Sequence, residues 1–479
     1  MNFSIIVYIV GMILNLEAAL MLLPCITALA YGEKAGLAFV FVILFCLVIG
    51  IPIAMHKPKK KAFYARESFV AVALSWITLS IVGAAPFVIT GSIPNPVNAL
   101  FETVSGFTTT GASILTDVEV LPKCVLIWRS FTHWIGGMGV LVFVLAIIPL
   151  TGGYHMALMK AESPGPSVSR MLPKVQSTAK ILYAIYIGLT LLQISLMLLS
   201  RMPLFDALCI SFGTAGTGGF GVLNSSCGDY STLQQIIITV FMILFGVNFN
   251  VYFFLIMKKF GQAFHTEEVR YYLGIIAVAV IAITINVVHM FGGVLEALRH
   301  AAFQVGSIIT TTGYSTVDFD QWPMFSKTIL LMLMFVGACA GSTGGGIKVS
   351  RIMILIKSVG KELLLFLHPN AVKKIKIDGK PVAHEVVRST NIFIVVYVLI
   401  FAFSTLIISI DNFDYTTNFS AVAATLNNIG PGLNLVGPAQ NYSLFSNFPK
   451  LILTFDMLAG RLEIFPLLML FYPRTWKKL

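Results

Sequence analysis

The 479 residues are 57% hydrophobic and only 11% charged, where soluble domains carry about 25% charged residues, so a water-soluble fold is excluded. A net charge of +11 on such a chain reads as Lys and Arg gathered in the cytoplasmic loops of a polytopic membrane protein, with no nucleic-acid partner. Six cysteines (Cys25, Cys46, Cys124, Cys209, Cys227 and Cys339) lack paired spacing, a CxxC or a nearby His, which points to neither a disulfide framework nor zinc.

The N-terminus has no basic n-region or small-residue cleavage site, and its apolar stretch runs past Glu17 to about Ala30, which predicts a retained membrane helix. Apolar segments of about 20 residues, the length a bilayer requires, lie at 5–30, 35–55, 69–90, 124–148, 180–200, 232–257, 271–291, 328–367, 391–410 and 449–471. The eighth is too long for one helix and is interrupted by Gly341-Ser342-Thr343-Gly344-Gly345-Gly346, so two half-helices are expected there. With the N-terminus inside, 24 of the 32 Lys and Arg fall in cytoplasmic segments, six lie outside, and Arg129 and Arg461 fall within spans. That bias predicts both termini in the cytoplasm.

From the third span onward each unit reads span, half-length apolar stretch, turn rich in Gly and Thr, span. The turns are Thr108-Thr109-Thr110-Gly111-Ala112-Ser113, Thr217-Gly218-Gly219-Phe220-Gly221, Thr310-Thr311-Thr312-Gly313-Tyr314-Ser315 and Ile429-Gly430-Pro431-Gly432-Leu433-Asn434. Aligning Gly111, Gly219, Gly313 and Gly432 spaces the units by 108, 94 and 119 residues, with Gly218 and Gly430 as the competing choices in the second and fourth turns. The stretches before the turns, such as 97–107 and 296–308, are too short to span and long enough for a re-entrant helix. The expected fold is an all-α polytopic membrane protein. Two N-terminal transmembrane helices (1–62) precede four span, re-entrant pore helix, span repeats at 63–165, 166–265, 266–370 and 371–479, placed around one pore. Non-helical backbone at membrane depth survives only where protein buries it or where it lines a wet cavity. Four such turns with inward carbonyls can replace the water shell of a monovalent cation, and glycine permits the backbone angles this needs.

These units resemble the Trk/Ktr/HKT superfamily of cation transporters. The two Thr-Thr-Thr-Gly turns, Asn428-Ile429-Gly430-Pro431-Gly432, Trp134-Ile135-Gly136-Gly137-Met138-Gly139, and Ala340 with the Gly341–Gly346 run are similar to its bacterial TrkH branch in particular, and the likeness covers nearly the whole chain. The resemblance implies potassium uptake across a bacterial or archaeal plasma membrane, with potassium bound at a filter of Thr109, Thr110, Gly111, Thr217, Gly218, Gly219, Thr311, Thr312, Gly313, Ile429, Gly430, Pro431 and Gly432. Relatives that prefer sodium tend to carry Ser where this chain has Gly111. It further implies a homodimer in the lipid bilayer, no cofactor on this chain, and a peripheral ring of Rossmann-type subunits binding NAD or adenine nucleotides. The longest cytoplasmic segment, 367–388, is too short to hold such a domain, which takes on the order of 100 residues. The sequence pattern is the same for a channel and for a sodium- or proton-coupled symporter.

Five glycines among residues 337–346 oppose a continuous helix, since each costs about 1 kcal/mol relative to Ala. With Arg461, twelve residues into its span, Gly341 to Gly346 are expected to form a gate beneath the filter. Asp117, Glu119, Asp229, Asp318 and Asp320 are expected to raise cation concentration at the mouth. Arg129, near the start of its span, reads as an anchor. Gly216 to Gly221 satisfies G-x-G-x-x-G but follows no strand, and the Gly341–Gly346 run lacks the Walker Lys spacing, so neither is a nucleotide site. Gly111-Ala112-Ser113-Ile114 lacks the last glycine of an intramembrane serine protease, and His133 and His289 read as buried, satisfied histidines. The chain is therefore not expected to be an enzyme.

Overall fold

A computed structural model describes residues 1–56, 58, 65–139, 175–371 and 373–477. The described chain is almost wholly helical. Helix α1 (Phe3–Leu20) runs into α2 (Leu22–Tyr31) and returns as α3 (Gly36–Met55). Gly11 and Gly50 let α1 and α3 approach closely, against Ile53 and Asn15. The second group is α4 (Ala65–Ile89), α5 (Pro96–Phe107) and α6 (Lys123–Gly137); the third is α7 (Val175–Leu199), α8 (Leu204–Gly216), α9 (Thr232–Phe245), α10 (Phe249–Ile256) and the short α11 (Phe260–Phe264). Then come α12 (Glu267–Val287), α13 (Val294–Ile309), α14 (Met324–Val336) and α15 (Val349–Leu367). A two-strand hairpin, β1 (Lys376–Ile377) with β2 (Lys380–Pro381), leads to α16 (His384–Ile408), α17 (Tyr415–Leu426), α18 (Asn447–Arg461) and α19 (Phe465–Phe471).

Six helical segments among the described residues are long and apolar enough to cross a membrane, and a seventh if α9 and α10 count as one span bent by 92°. The sequence reading gave ten. The other three are interrupted. α6 ends at Gly137, and the rest of the expected 124–148 span lies outside the described residues, as do the expected boundaries at 62/63 and 165/166. The long 328–367 segment divides into α14 and α15, separated by residues 337–348. The last span breaks after Arg461, where Glu463 and Ile464 take left-handed φ of 58° and 64°. A β-branched residue rarely adopts that conformation. Glu463 is held there by an ion pair with Arg351 of α15.

The four short helices α5, α8, α13 and α17 form the interior. Most of their residues are buried, including the polar Glu102, Thr103, Ser105, Thr214, Gln304, Ser307, Asn418 and Thr425. The long helices turn apolar side chains such as Leu37, Phe41, Val278, Ile285, Val395 and Phe403 outward, as a helix in lipid must.

Candidate functional site

Each short helix ends in the same way. The amide of a left-handed residue (Thr109, Thr217, Thr311, Asn428; φ 55°, 55°, 59° and 56°) bonds the carbonyl three residues back at 3.1 Å. The next amide (Thr110, Gly218, Thr312, Ile429) bonds the carbonyl five back at 2.8 Å. This is a Schellman motif, and it brings the negative end of each helix dipole to one place. In the first and third turns paired threonine hydroxyls stiffen it, Thr108 with Thr110 at 2.8 Å and Thr310 with Thr312 at 2.7 Å.

One residue further on stands a glycine with positive φ: Gly111 (77°), Gly219 (81°), Gly313 (84°) and Gly430 (96°). A side chain on Gly111 would strike the carbonyl oxygen of Gly218, on Gly219 that of Thr312, on Gly313 that of Ile429, and on Gly430 that of Thr110. The four segments therefore close a ring in which each glycine faces the carbonyl of the next. Gly432 is outside it. Its φ is not left-handed, it lies against Val436 and Ser420, and Gly430 takes the fourth place, which corrects the alignment on Gly432. Asn428 belongs to the ring, although the filter residues expected from the sequence begin the fourth turn at Ile429. The signal was its position two residues before Gly430, since Asn tolerates the left-handed region.

Among the described residues, the carbonyls of Thr109, Thr110, Thr217, Gly218, Thr311, Thr312, Asn428 and Ile429 accept no hydrogen bond. Buried carbonyls are nearly always paired, so eight unpaired ones around a ring are unusual. A cavity of about 220 Å3 opens on one side of the ring, lined by all four glycines and by Ser113, Arg129, Pro431 and Tyr442 among others.

Buried polar side chains brace this ring. Arg129 pairs with Glu102 at 2.7 Å and lies 4.1 Å over the Phe220 ring. The Glu102 carboxylate also accepts from Ser113 Oγ at 2.9 Å and Ile114 N at 3.0 Å. Arg129 is thus an anchor with an acidic partner, and Ser113 donates to a carboxylate. His133 Nε2 accepts from the Phe220 amide at 3.2 Å while Nδ1 bonds the Gly106 carbonyl at 2.7 Å, which fixes a neutral imidazole protonated on Nδ1. His289, expected buried, is exposed. The Tyr442 hydroxyl donates to Gly430 O at 2.7 Å. None of the five acids expected at the mouth lines the cavity. Asp117 and Glu119 instead bind Asn224, at 2.9 Å each. The Asn224 amide first, and the Glu119 backbone amide second, hold the Asp117 carboxyl below its usual range.

On the other side of the ring lies the 337–348 loop. Gly345 N donates to Thr311 Oγ1 at 2.6 Å, and Gly346 N to Asn427 O at 3.1 Å. Thr343 Oγ1 donates to Phe245 O at 3.2 Å. Arg461 donates to Thr343 O at 2.9 Å and to Gly136 and Gly137 O at 2.5 and 2.6 Å. The loop is therefore tied to the ends of α6, α9, α13, α17 and α18 directly beside the ring. Gly341, Ser342, Thr343, Gly344, Gly345 and Gly346 all fall within it. Two charged residues that the sequence reading did not place here complete the arrangement. Lys348, buried and left-handed (φ 83°), donates to Gly344 O. Glu268, from the start of α12, receives the amides of Ala340 at 2.6 Å and Ser350 at 3.2 Å.

A family profile described as TrkH, cation transport protein, matches residues 36–478. The chain is 38% identical over 486 residues to the Trk system potassium uptake protein TrkH of Salmonella typhimurium and 37% identical to that of Escherichia coli K12, covering 100% of each chain in both cases. It is similar throughout, with a TM-score of 0.88 and 35% identity, to the crystal structure of the potassium transporter TrkH from Vibrio parahaemolyticus.

Proposed function

Because the chain belongs to the TrkH family of cation transport proteins, we propose that it takes potassium into the cell through the ring of turns and that the 337–348 loop gates the path. The observation that carries this is the closed ring of Gly111, Gly219, Gly313 and Gly430 with its eight unpaired carbonyls. Carbonyl oxygens held at fixed spacing replace the hydration shell of a monovalent cation, and the converging helix C-termini add negative potential. On this reading four repeats (63–165, 166–265, 266–370, 371–479) surround one pore, α1 to α3 are the two extra spans, and both termini are cytoplasmic. The 220 Å3 cavity is the outer mouth.

Arg461 places a positive charge under the ring, where it opposes a permeating cation as well as tethers the loop, and Lys348 tethers the loop through Gly344 O. Opening withdraws the loop from Thr311, Asn427 and Arg461. The energy for that comes from a cytosolic Rossmann-type partner bound to NAD or an adenine nucleotide, acting on a homodimer of this chain through the basic faces at 57–66 and 348–388. The face at 57–66 lies largely outside the described residues.

The test is flux of rubidium, potassium and sodium into liposomes containing the purified protein. Gly111→Ser places a side chain against Gly218 O and should lower discrimination against sodium while the protein still folds. An unchanged sodium-to-potassium ratio in that variant would remove Gly111 from the filter.

A further inference from the structure

We propose that Asp456 is a proton-binding site in the wall of the transport path, and that its proton is released when the 337–348 loop withdraws. Asp456 lies on α18 five residues before Arg461 and is 0% exposed. Its Oδ1 accepts from Ser404 Oγ at 2.7 Å, and its Oδ2 is buried with no partner among the described residues. Beside it, Met457 O receives the side-chain amide of Asn428 at 2.8 Å, and Asn428 is one of the four left-handed ring residues. Asn427 donates to the Tyr397 hydroxyl at 2.8 Å and receives the loop amide of Gly346 through its backbone carbonyl. The carboxyl thus faces Ser404 of α16, one residue along α18 from the carbonyl that holds the ring residue Asn428. Asn427 Oδ1 and Asn428 Oδ1 are also buried acceptors without donors.

Among the described residues, the surroundings offer no compensating charge. Of the helices packed on α18, α17 and α19 carry no charged side chain, and the exposed Tyr415 is the sole titratable group on α17. α5 carries only Glu102, which is bound to Arg129. α16 presents Ser404 and Tyr397, and its charged His384, Glu385 and Arg388 lie near its start, at least 16 residues or about 24 Å from Ser404 along the helix. On α18 itself Lys450 donates to Asn98 and Arg461 to three carbonyls elsewhere. Burying an ionised carboxylate without a partner costs several kcal/mol. A proton removes that cost and turns Oδ2 into a donor in a neighbourhood with surplus acceptors.

The reaction is one carboxylate and one proton from water forming a carboxylic acid. With the loop in place, the wall around Asp456 is dry and the proton is held. When Gly346 leaves Asn427, water reaches the wall and solvates the anion. Proton binding therefore favours the loop-in arrangement, and flux falls as pH falls.

The pH-dependent flux rests on the potassium reading, whereas the bound proton does not, so two measurements separate them. In membranes at neutral pH, the infrared carbonyl absorption of protonated carboxyls should lose one component in Asp456→Asn. In Ser404→Ala, which removes only the donor to Oδ1, that component should move to higher frequency. Glu17→Gln controls for a second 0% exposed acid, neither of whose oxygens has a partner among the described residues, whereas the equally buried Glu102 is paired with Arg129. Wild-type rubidium flux in liposomes should rise between about pH 6 and about pH 8, by at most the roughly tenfold per unit that one linked proton allows. Flux through Asp456→Asn should stay within about twofold over that range. An infrared spectrum unchanged in both Asp456→Asn and Ser404→Ala, or a pH profile in Asp456→Asn parallel to wild type, overturns the proposal. Absence of flux in both the wild type and Arg461→Ala, which frees the loop without a partner, overturns the potassium reading, and the infrared band then decides the proton site by itself.

Discussion

Removing the Arg461 guanidinium tests the gate directly. Of its three hydrogen bonds to described residues, the one to Thr343 O holds the loop, and those to Gly136 and Gly137 O hold the end of α6. A bond from a charged donor contributes about 1.5–3 kcal/mol, and each 1.4 kcal/mol is about tenfold in an equilibrium. Arg461→Ala should therefore shift the loop toward withdrawal by roughly 10- to 100-fold. The shift is bounded because Gly345 and Gly346 keep their bonds to Thr311 and Asn427, neutral contacts of about 0.5–1.5 kcal/mol each. The same substitution strands the Gly137 carbonyl, at about 1–3 kcal/mol, whereas Gly136 O keeps the Gly139 amide at 3.0 Å, so a modestly lower Tm should accompany higher flux. Arg461→Lys, which lacks the planar fork of donors, should fall between the two. The assay is basal rubidium flux in liposomes without any cytosolic partner, normalised to folded protein by size-exclusion chromatography. Wild-type flux from folded Arg461→Ala would show that the guanidinium braces the helices without restraining the loop.

The ring assignment separates two glycines. Gly430→Ala, with φ of 96° and Thr110 O in the way, should abolish selective potassium flux, whereas Gly432→Ala should lower Tm through its contacts with Val436 and Ser420 and keep the potassium-to-sodium ratio; matching selectivity losses would refute the ring order. Glu102→Gln leaves Arg129 buried without its counter-charge, which should cost about 3–5 kcal/mol, read as a drop in Tm in detergent. The Asp117 carboxyl lies below its ordinary value of 3.8 because of Asn224 and the Glu119 amide, so its support of the outer turn is complete above 3.8 and is lost only as pH falls beneath it. Amide exchange at 118–119 and 224 should therefore be independent of Asp117 ionisation at neutral pH, and Asp117→Asn should speed it there.

Composition alone placed this chain in a membrane, because 11% charged residues cannot cover a water-facing surface. Local chemistry located the short helices to within a few residues: 97–107 was expected and Pro96–Phe107 observed, 296–308 expected and Val294–Ile309 observed. A glycine run likewise marked the break between α14 and α15. What a linear pattern could not supply was which groups meet across the fold. Gly430 and Gly432 are equivalent as letters two residues apart. Only the approach of Thr110 O to one and of Val436 and Ser420 to the other assigns the ring position. The segment around Arg461 shows no acidic residue at helical spacing, and its acceptors among the described residues lie 118, 324 and 325 residues away. The break after Arg461 was likewise invisible, because Glu463 and Ile464 have ordinary helical propensities. Their left-handed backbone is imposed by the tertiary structure, through the ion pair of Glu463 with Arg351 on another helix.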